Sequence, residues 1–276
     1  MQKQTAILYL RGLLNKSAIN VSIDRVYRLI TLYITIGTIF MNNIDEITKL
    51  YTHRELDQVM GMAHPDQEQE NRRILLSFAN SIQERDILTY DHSRRVATYA
   101  QRLARYLGWS RREARDLALA ALVHDLGKTW IANDILLKAD VLSDDERRTM
   151  ERHPVIGARI LIGCDVHPFY VEAVLYHHEA WDGQGYPSGL QGVEIPLSSR
   201  ILTIADVYDV LTSQRPYKDA LSKDAARERL LLGSASNFDP MIVRAFVNLL
   251  DAQTNFTLPQ RICALPATTK SLYYPS

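Results

Sequence analysis

Two imidazoles and two carboxylates gather at His177, His178, Glu179 and Asp182, directly before the glycine-rich run Gly183-Gln184-Gly185-Tyr186-Pro187. A second imidazole–carboxylate pair, His124–Asp125, precedes them in the chain. Imidazole nitrogen and carboxylate oxygen together suit divalent iron, manganese or zinc. In chain order the candidate ligands are His92, His124, Asp125, His153, His177, His178 and Asp206. Each imidazole would bind through one nitrogen while an acceptor behind it holds the other N–H. A carboxylate can bridge two cations and an imidazole cannot, so Asp125, beside His124, is the natural bridge. Two cations roughly 3.5 to 4 Å apart can hold a hydroxide between them and clamp a phosphate for in-line displacement. Any one of these residues alone reads more simply as core or surface. Gathered on helix ends that a bundle can bring to one point, they read as a metal centre. His53 and His64 have no acidic partner pattern and read as structural or solvated, and His167 reads as a solvated loop residue.

The elements that must position these residues are helical from about residue 70. Val96, Tyr99, Ala100, Leu103, Ala104 and Leu107 recur at three- and four-residue steps, and Gly108 ends that helix. Ser110 with Glu113 forms a capping box for a helix running to His124, and Ser143 with Glu146 repeats the device ahead of His153. Pro168 opens a helix ending near His177–His178, and a further helix spans Ser198 to Thr212. Asp239–Pro240 starts the last one. The segment from Asp182 to Pro196, with four glycines, is an irregular loop that lines something. The expected fold is all-α: a helical catalytic domain over 71–254, a small N-terminal appendage of unassigned function over 1–70, and a poorly ordered tail over 255–276.

Composition removes several function classes. A formal net charge of zero argues against binding a nucleic-acid polymer, which calls for a broad cationic excess. It leaves room for a small phosphorylated ligand. Two cysteines, Cys164 and Cys263, stand far apart in no metal spacing, and no secretory signal is evident, so a reduced, cytoplasmic location is expected. The apolar run 29–41 is shorter than the roughly 18 to 20 residues a membrane-spanning helix needs, and reads as a buried element rather than a membrane contact.

The chain resembles the HD-GYP family of cyclic di-GMP phosphodiesterases, a branch of the HD phosphohydrolases. The resemblance rests on His124-Asp125-Leu126-Gly127-Lys128, on HHEAWDGQGYPSGLQGVEIP from His177, on ADVYDVLTSQRPYK from Ala205, and on Phe238-Asp239-Pro240. It covers roughly residues 80 to 250 and implies an HD-domain helical bundle. It also implies one metal on His92, His124, Asp125 and Asp206, and a second on Asp125, His153, His177 and His178, with iron or manganese as the ions. Lys128 would assist the leaving group. Tyr186, Arg215 and Lys218 would contact the dinucleotide, Arg through its planar fork and Lys as a point charge. The implied reaction opens cyclic di-GMP to pGpG, and then to GMP, by attack of a metal-bridged hydroxide. Some family members carry a Glu four residues before the first histidine that holds a third metal. Here that position is Leu88, and a two-metal centre is expected. Two rival readings are a non-catalytic cyclic-dinucleotide receptor or adaptor acting through the Gly185-Tyr186-Pro187 loop, and an HD hydrolase of another cyclic dinucleotide. The resemblance admits a GGDEF-type partner at that loop, and a homodimer is left open. The arginine pairs 94–95, 111–112 and 147–148 read as solvated helix faces.

Overall fold

The computed structural model describes residues 65–138, 140–214 and 219–254. Ten α-helices follow in order among them: α1 (Pro65–Arg85), α2 (Ile87–Tyr106), α3 (Arg111–Leu122), α4 (Asn133–Leu136), α5 (Asp144–Met150), α6 (His153–Gly163), α7 (Pro168–Leu175), α8 (Leu197–Thr212), α9 (Lys223–Leu232) and α10 (Pro240–Thr254). Short 3-10 turns cover Leu126–Trp130 and Gly192–Glu194. No β-strand occurs among the described residues, only two isolated bridges. The all-α expectation holds for this region. α1 runs through the boundary the sequence suggests near residue 70. The run 29–41, His53, His64, Cys263 and the tail beyond 254 lie outside the described residues.

Each helix is set by local chemistry. Asp86 opens α2 by accepting the N–H groups of Leu88 and Thr89. Both expected capping boxes form, Ser110 with Glu113 and Ser143 with Glu146. Gly108, at φ 88°, ends the α2 segment, and Trp109 N–H returns to the carbonyl of Ala104. The buried face of α2 is Val96, Ala97, Ala100, Leu103 and Ala104, which meets Ala114, Leu117, Ala120 and Ala121 of α3. So many alanines let the two helix backbones come close, while each larger buried aliphatic contributes about 1.5–3 kcal/mol. α8 lies against α2, α7 and α10, and carries Ile201, Leu202, Ile204 and Tyr208 into the core. Tyr208 meets Phe246 and Tyr99 edge-on, at ring-centre distances of 5.0 Å each.

Helices α3 and α7 stop short of the histidines, at Leu122 and Leu175. The sequence pattern carried both of them on to the histidines themselves. The earlier ends put His124, His177 and His178 just beyond the last turn, and this placement governs the site. Among the described residues no helix is long and apolar enough to cross a membrane.

Candidate metal centre

Three histidines are aimed by one recurring device. The last carbonyls of a helix have no intrahelical donor. His124 Nδ1 lies 2.7 Å from the Ala121 carbonyl, His153 Nδ1 2.9 Å from that of Met150, and His177 Nδ1 2.6 Å from that of Val174. Each accepting residue sits in the last turn of α3, α5 or α7. A carbonyl only accepts, so the proton is on Nδ1 and the Nε2 lone pair is left for the interior. His92 is oriented by a side chain instead, since its Nδ1 lies 2.7 Å from Asp209 Oδ2.

The Nε2 atoms converge with the carboxylates of Asp125 and Asp206. His92, His124 and Asp206 form one group whose ligand atoms lie within 4.8 Å of each other, and His153, His177 and His178 form a second. His124, Asp125 and His177 make a third such group between them. Asp125 Oδ2 is 3.5 Å from His124 Nε2, and Asp125 Oδ1 is 3.3 Å from His153 Nε2. Asp206 Oδ1 is 3.1 Å from His92 Nε2 and 4.0 Å from His124 Nε2. The structure thus brings all seven expected ligand residues into three linked groups at one largely buried site. His153 Nε2 and His177 Nε2 are 3.4 Å apart, and with both protons on Nδ1 these are two lone pairs facing each other. Asp125 Oδ1 is buried and accepts no hydrogen bond. Facing imidazole lone pairs beside a carboxylate oxygen that takes no hydrogen bond suit a divalent cation.

The motif residues around the centre have visible tasks. Lys128 Nζ donates to Asp125 Oδ2 at 2.8 Å. A Cβ on Gly127 would lie 1.9 Å from the His153 carbonyl oxygen and 2.8 Å from Gly157 N, so glycine lets the 3-10 turn abut α6. A Cβ on Gly185 would lie 2.2 Å from Ala180 N. The buried Glu179 carboxylate accepts the N–H groups of Ser188 and Leu190, and Tyr186 N–H donates to the His178 carbonyl. These bonds fold the loop back so that the Tyr186 ring stacks on His178, with centres 4.9 Å apart. The loop is also tied to the turn before α10, with Trp181 and Asp182 donating to the carbonyls of Asn237 and Ser236. Arg215 and Lys218 lie outside the described residues.

Three residues differ from their sequence reading or escaped it. Asp209 was missed. It accepts from His92 and from both Arg95 Nε at 2.7 Å and Arg95 Nη2 at 3.0 Å. Arg95 is therefore no free solvated charge, although its side chain is exposed. The signal was available: Asp209 is three residues after Asp206, and Arg95 three after His92, on the same helix faces. His167 is not a solvated loop residue, because it caps α7 by accepting the Phe169 N–H and is partly buried. Asp209→Asn is expected to weaken metal binding by about 10- to 100-fold, since the outer partner sets ligand orientation and basicity. Competitive chelator titration reads this out, and unchanged affinity would refute it.

The buried histidines also predict a pH profile for the metal-free protein. Burial pushes His153 and His178 down to about 3, and pushes His177 well below its usual 6.5. Burial acts against a charged His92 as well, but its hydrogen bonds to Asp206 and Asp209 outweigh this and lift it to about 9. A histidine kept neutral by the fold binds fewer protons folded than unfolded, so its contribution is lost as pH falls below 6.5. The His92 contribution has the opposite sign, being fully present below pH 6.5 and lost as pH rises through 9. Metal-stripped protein is thus expected to be most stable near pH 6.5, with the steeper fall on the acid side, where three histidines act together. Urea midpoints measured in chelator across this range check it, and a flat profile would contradict it.

A helical bundle that gathers histidines and aspartates able to hold a metal is the architecture of an HD-type domain. The HD domain family model matches residues 77–242, more than half of the chain, and the chain belongs to this family. Its composite motifs agree with the HD-GYP branch. Over 194 residues it is 40% identical to the cyclic di-GMP phosphodiesterase response regulator RpfG of Xanthomonas campestris, covering 70% of this chain and 51% of that protein. It is 37% identical to a cyclic di-GMP phosphodiesterase of Thermotoga maritima, covering 63% of this chain and 48% of the relative. It is 36% identical to the 3'3'-cGAMP-specific phosphodiesterase 2 of Vibrio cholerae, covering 67% and 36%. The chain thus spans about half or less of these relatives' length. Among solved structures, Bd1817 of Bdellovibrio bacteriovorus, described as an HDG"Y"P protein, shares the fold with a TM-score of 0.51 at 17% identity, covering 91% of this chain and 80% of that one.

Proposed function

We propose that this protein is a metal-dependent phosphodiesterase that opens the ring of a cyclic dinucleotide, with cyclic di-GMP as the first substrate. The observation that carries the reading is the pair of facing Nε2 lone pairs on His153 and His177 beside the unbonded Asp125 Oδ1. One divalent cation would be held by His92, His124, Asp125 and Asp206, and the other by Asp125, His153, His177 and His178, with iron or manganese suited to this nitrogen–oxygen set. Such a pair of cations supplies an acidified water and neutralises charge building on the phosphate. Every other contribution comes from the chain. Asp125 stands between the two histidine groups and keeps them in register. Lys128, 2.8 Å from Asp125, would give a proton to the departing ribose oxygen. Tyr186, stacked on His178, would offer an aromatic edge to the dinucleotide, and Arg215 and Lys218 would meet its phosphates or guanine edge.

Leu88 is 70% exposed in the first turn of α2 and offers no ligand atom where a third-metal carboxylate would stand. We therefore assign two metals, with pGpG as the main product and GMP forming more slowly. The loop from Asp182 to Pro196 would also serve a GGDEF-type partner. The reading places the domain in the cytoplasm, in keeping with Cys164 being a free thiol.

A 3'3'-cGAMP substrate is the second reading, favoured by relatives of that name at 34–38% identity, close to the 37–40% of the cyclic di-GMP relatives above. The test is hydrolysis of cyclic di-GMP, 3'3'-cGAMP and cyclic di-AMP by anaerobically purified protein, with bound metal quantified in the same sample. Turnover of cyclic di-GMP with about two metals per chain is expected. Preference for 3'3'-cGAMP would move the assignment to that ring. Tight binding without turnover at full metal occupancy would favour a receptor.

A further inference from the structure

At the C-terminal end of α2 and the N-terminal half of α3, four exposed arginines, Arg102, Arg105, Arg111 and Arg115, line a single open concavity of about 600 Å³. Tyr106 and Leu249 of α10 form its apolar wall. The spacing makes the cluster. Arg102 and Arg105 are three apart on α2, and Arg111 and Arg115 four apart on α3, so each pair shares a helix face.

None of the described lining residues is acidic. The nearest carboxylates in sequence are both engaged, Glu113 by the Ser110 N–H at 2.6 Å in the capping box and Asp116 by the Tyr170 hydroxyl at 2.9 Å. Arg105 donates to the Trp109 carbonyl, while Arg102, Arg111 and Arg115 have no hydrogen bond or ion pair among the described residues. By contrast, Arg73, Arg94, Arg95 and Arg112 of the same helices and α1 each lie within 3.4 Å of a carboxylate. Four guanidiniums together around one hollow, with no acid among its described lining, make a local positive field.

The form of the hollow narrows what would compensate it. Its volume falls in the small-ligand range of roughly 300–1,000 Å³. Guanidinium forks match phosphate oxygens two at a time, and several of them call for several phosphates. The tyrosine ring and leucine offer an apolar surface on which a base can lie. His92 sits ten residues before Arg102 on α2, roughly 15 Å along the axis, so this hollow is separate from the metal centre. We propose that it is a second binding site, which takes a nucleoside polyphosphate with the phosphates on the arginines and the base against Tyr106 and Leu249.

The test is calorimetric titration of the full chain with GTP, ATP and inorganic triphosphate. It uses wild type, the double variant Arg102→Ala/Arg115→Ala, and Asp125→Asn. Polyphosphates also ligate metals, and Asp125→Asn separates that route from this one. The expected result is nucleotide binding to wild type and Asp125→Asn alike, and affinity at least about tenfold weaker in the arginine variant. Thermal unfolding should be unchanged, because both arginines are exposed. Binding retained by the arginine variant, or lost in Asp125→Asn, would overturn the proposal. So would the lack of binding to wild type at millimolar nucleotide. Inorganic triphosphate binding as tightly as either nucleotide would overturn the assigned nucleoside. These outcomes do not depend on whether cyclic dinucleotides are hydrolysed.

Discussion

Asp125→Ala is expected to lose bound metal and to cut turnover by roughly a thousandfold or more, which corresponds to about 4 kcal/mol of lost transition-state stabilisation. Asp125 is only 3% exposed, and one of its oxygens has no hydrogen-bond donor. Its other oxygen takes the Lys128 ammonium. Burial alone would raise this carboxyl, yet His124 and Lys128 hold it well below the usual carboxylate range, so it is an anion at neutral pH. Removing it leaves five histidines and one remaining aspartate to hold the two proposed cations, and strips Lys128 of its partner. Elemental analysis alongside steady-state rates checks this. Asp125→Asn keeps the shape while losing the charge, and should fail nearly as badly if charge is what matters. Near-wild-type turnover with intact metal in either variant would remove Asp125 from the centre.

Gly127→Ala is expected to destabilise the domain by about 3 kcal/mol or more and to abolish activity with it. The added methyl would meet the His153 carbonyl oxygen at 1.9 Å, and backbone on both sides leaves no flexible side chain to give way. Relief requires α6 to move from the 3-10 turn, and that motion carries His153 away from Asp125. Gly163→Ala is the matched control, because a Cβ there meets nothing within 4 Å at the end of α6. It should be neutral or slightly stabilising, by a few tenths of a kcal/mol. Urea unfolding of both variants, with metal content measured in parallel, separates a steric clash from a general intolerance of change in this helix. Equal stability of the two would refute the close-approach account.

The helical class and the seven metal-ligand candidates were legible without coordinates, because both are written in local patterns. Apolar residues at three- and four-residue steps specify a helix face wherever they occur, and Ser110–Glu113 and Ser143–Glu146 close their own capping boxes with no help from the rest of the fold. Imidazole and carboxylate in one long composite motif likewise state a metal chemistry in residue types alone. What the sequence left open depended on distance across the bundle. Asp209 reads as one more acid on α8 until α2 lies against that helix and places His92 and Arg95 upon it. The four arginines of α2 and α3 look like ordinary solvated faces until the turn at Gly108 sets the two helices side by side. The ends of α3 and α7 fall two or three residues earlier than periodicity suggests, and those ends expose the carbonyls that hold Nδ1 and turn Nε2 inward. Local hydrogen bonding and periodicity are properties of short segments, so a sequence can state them. Which lone pairs meet, and which charges are left without partners, is decided only when segments far apart in the chain are packed together.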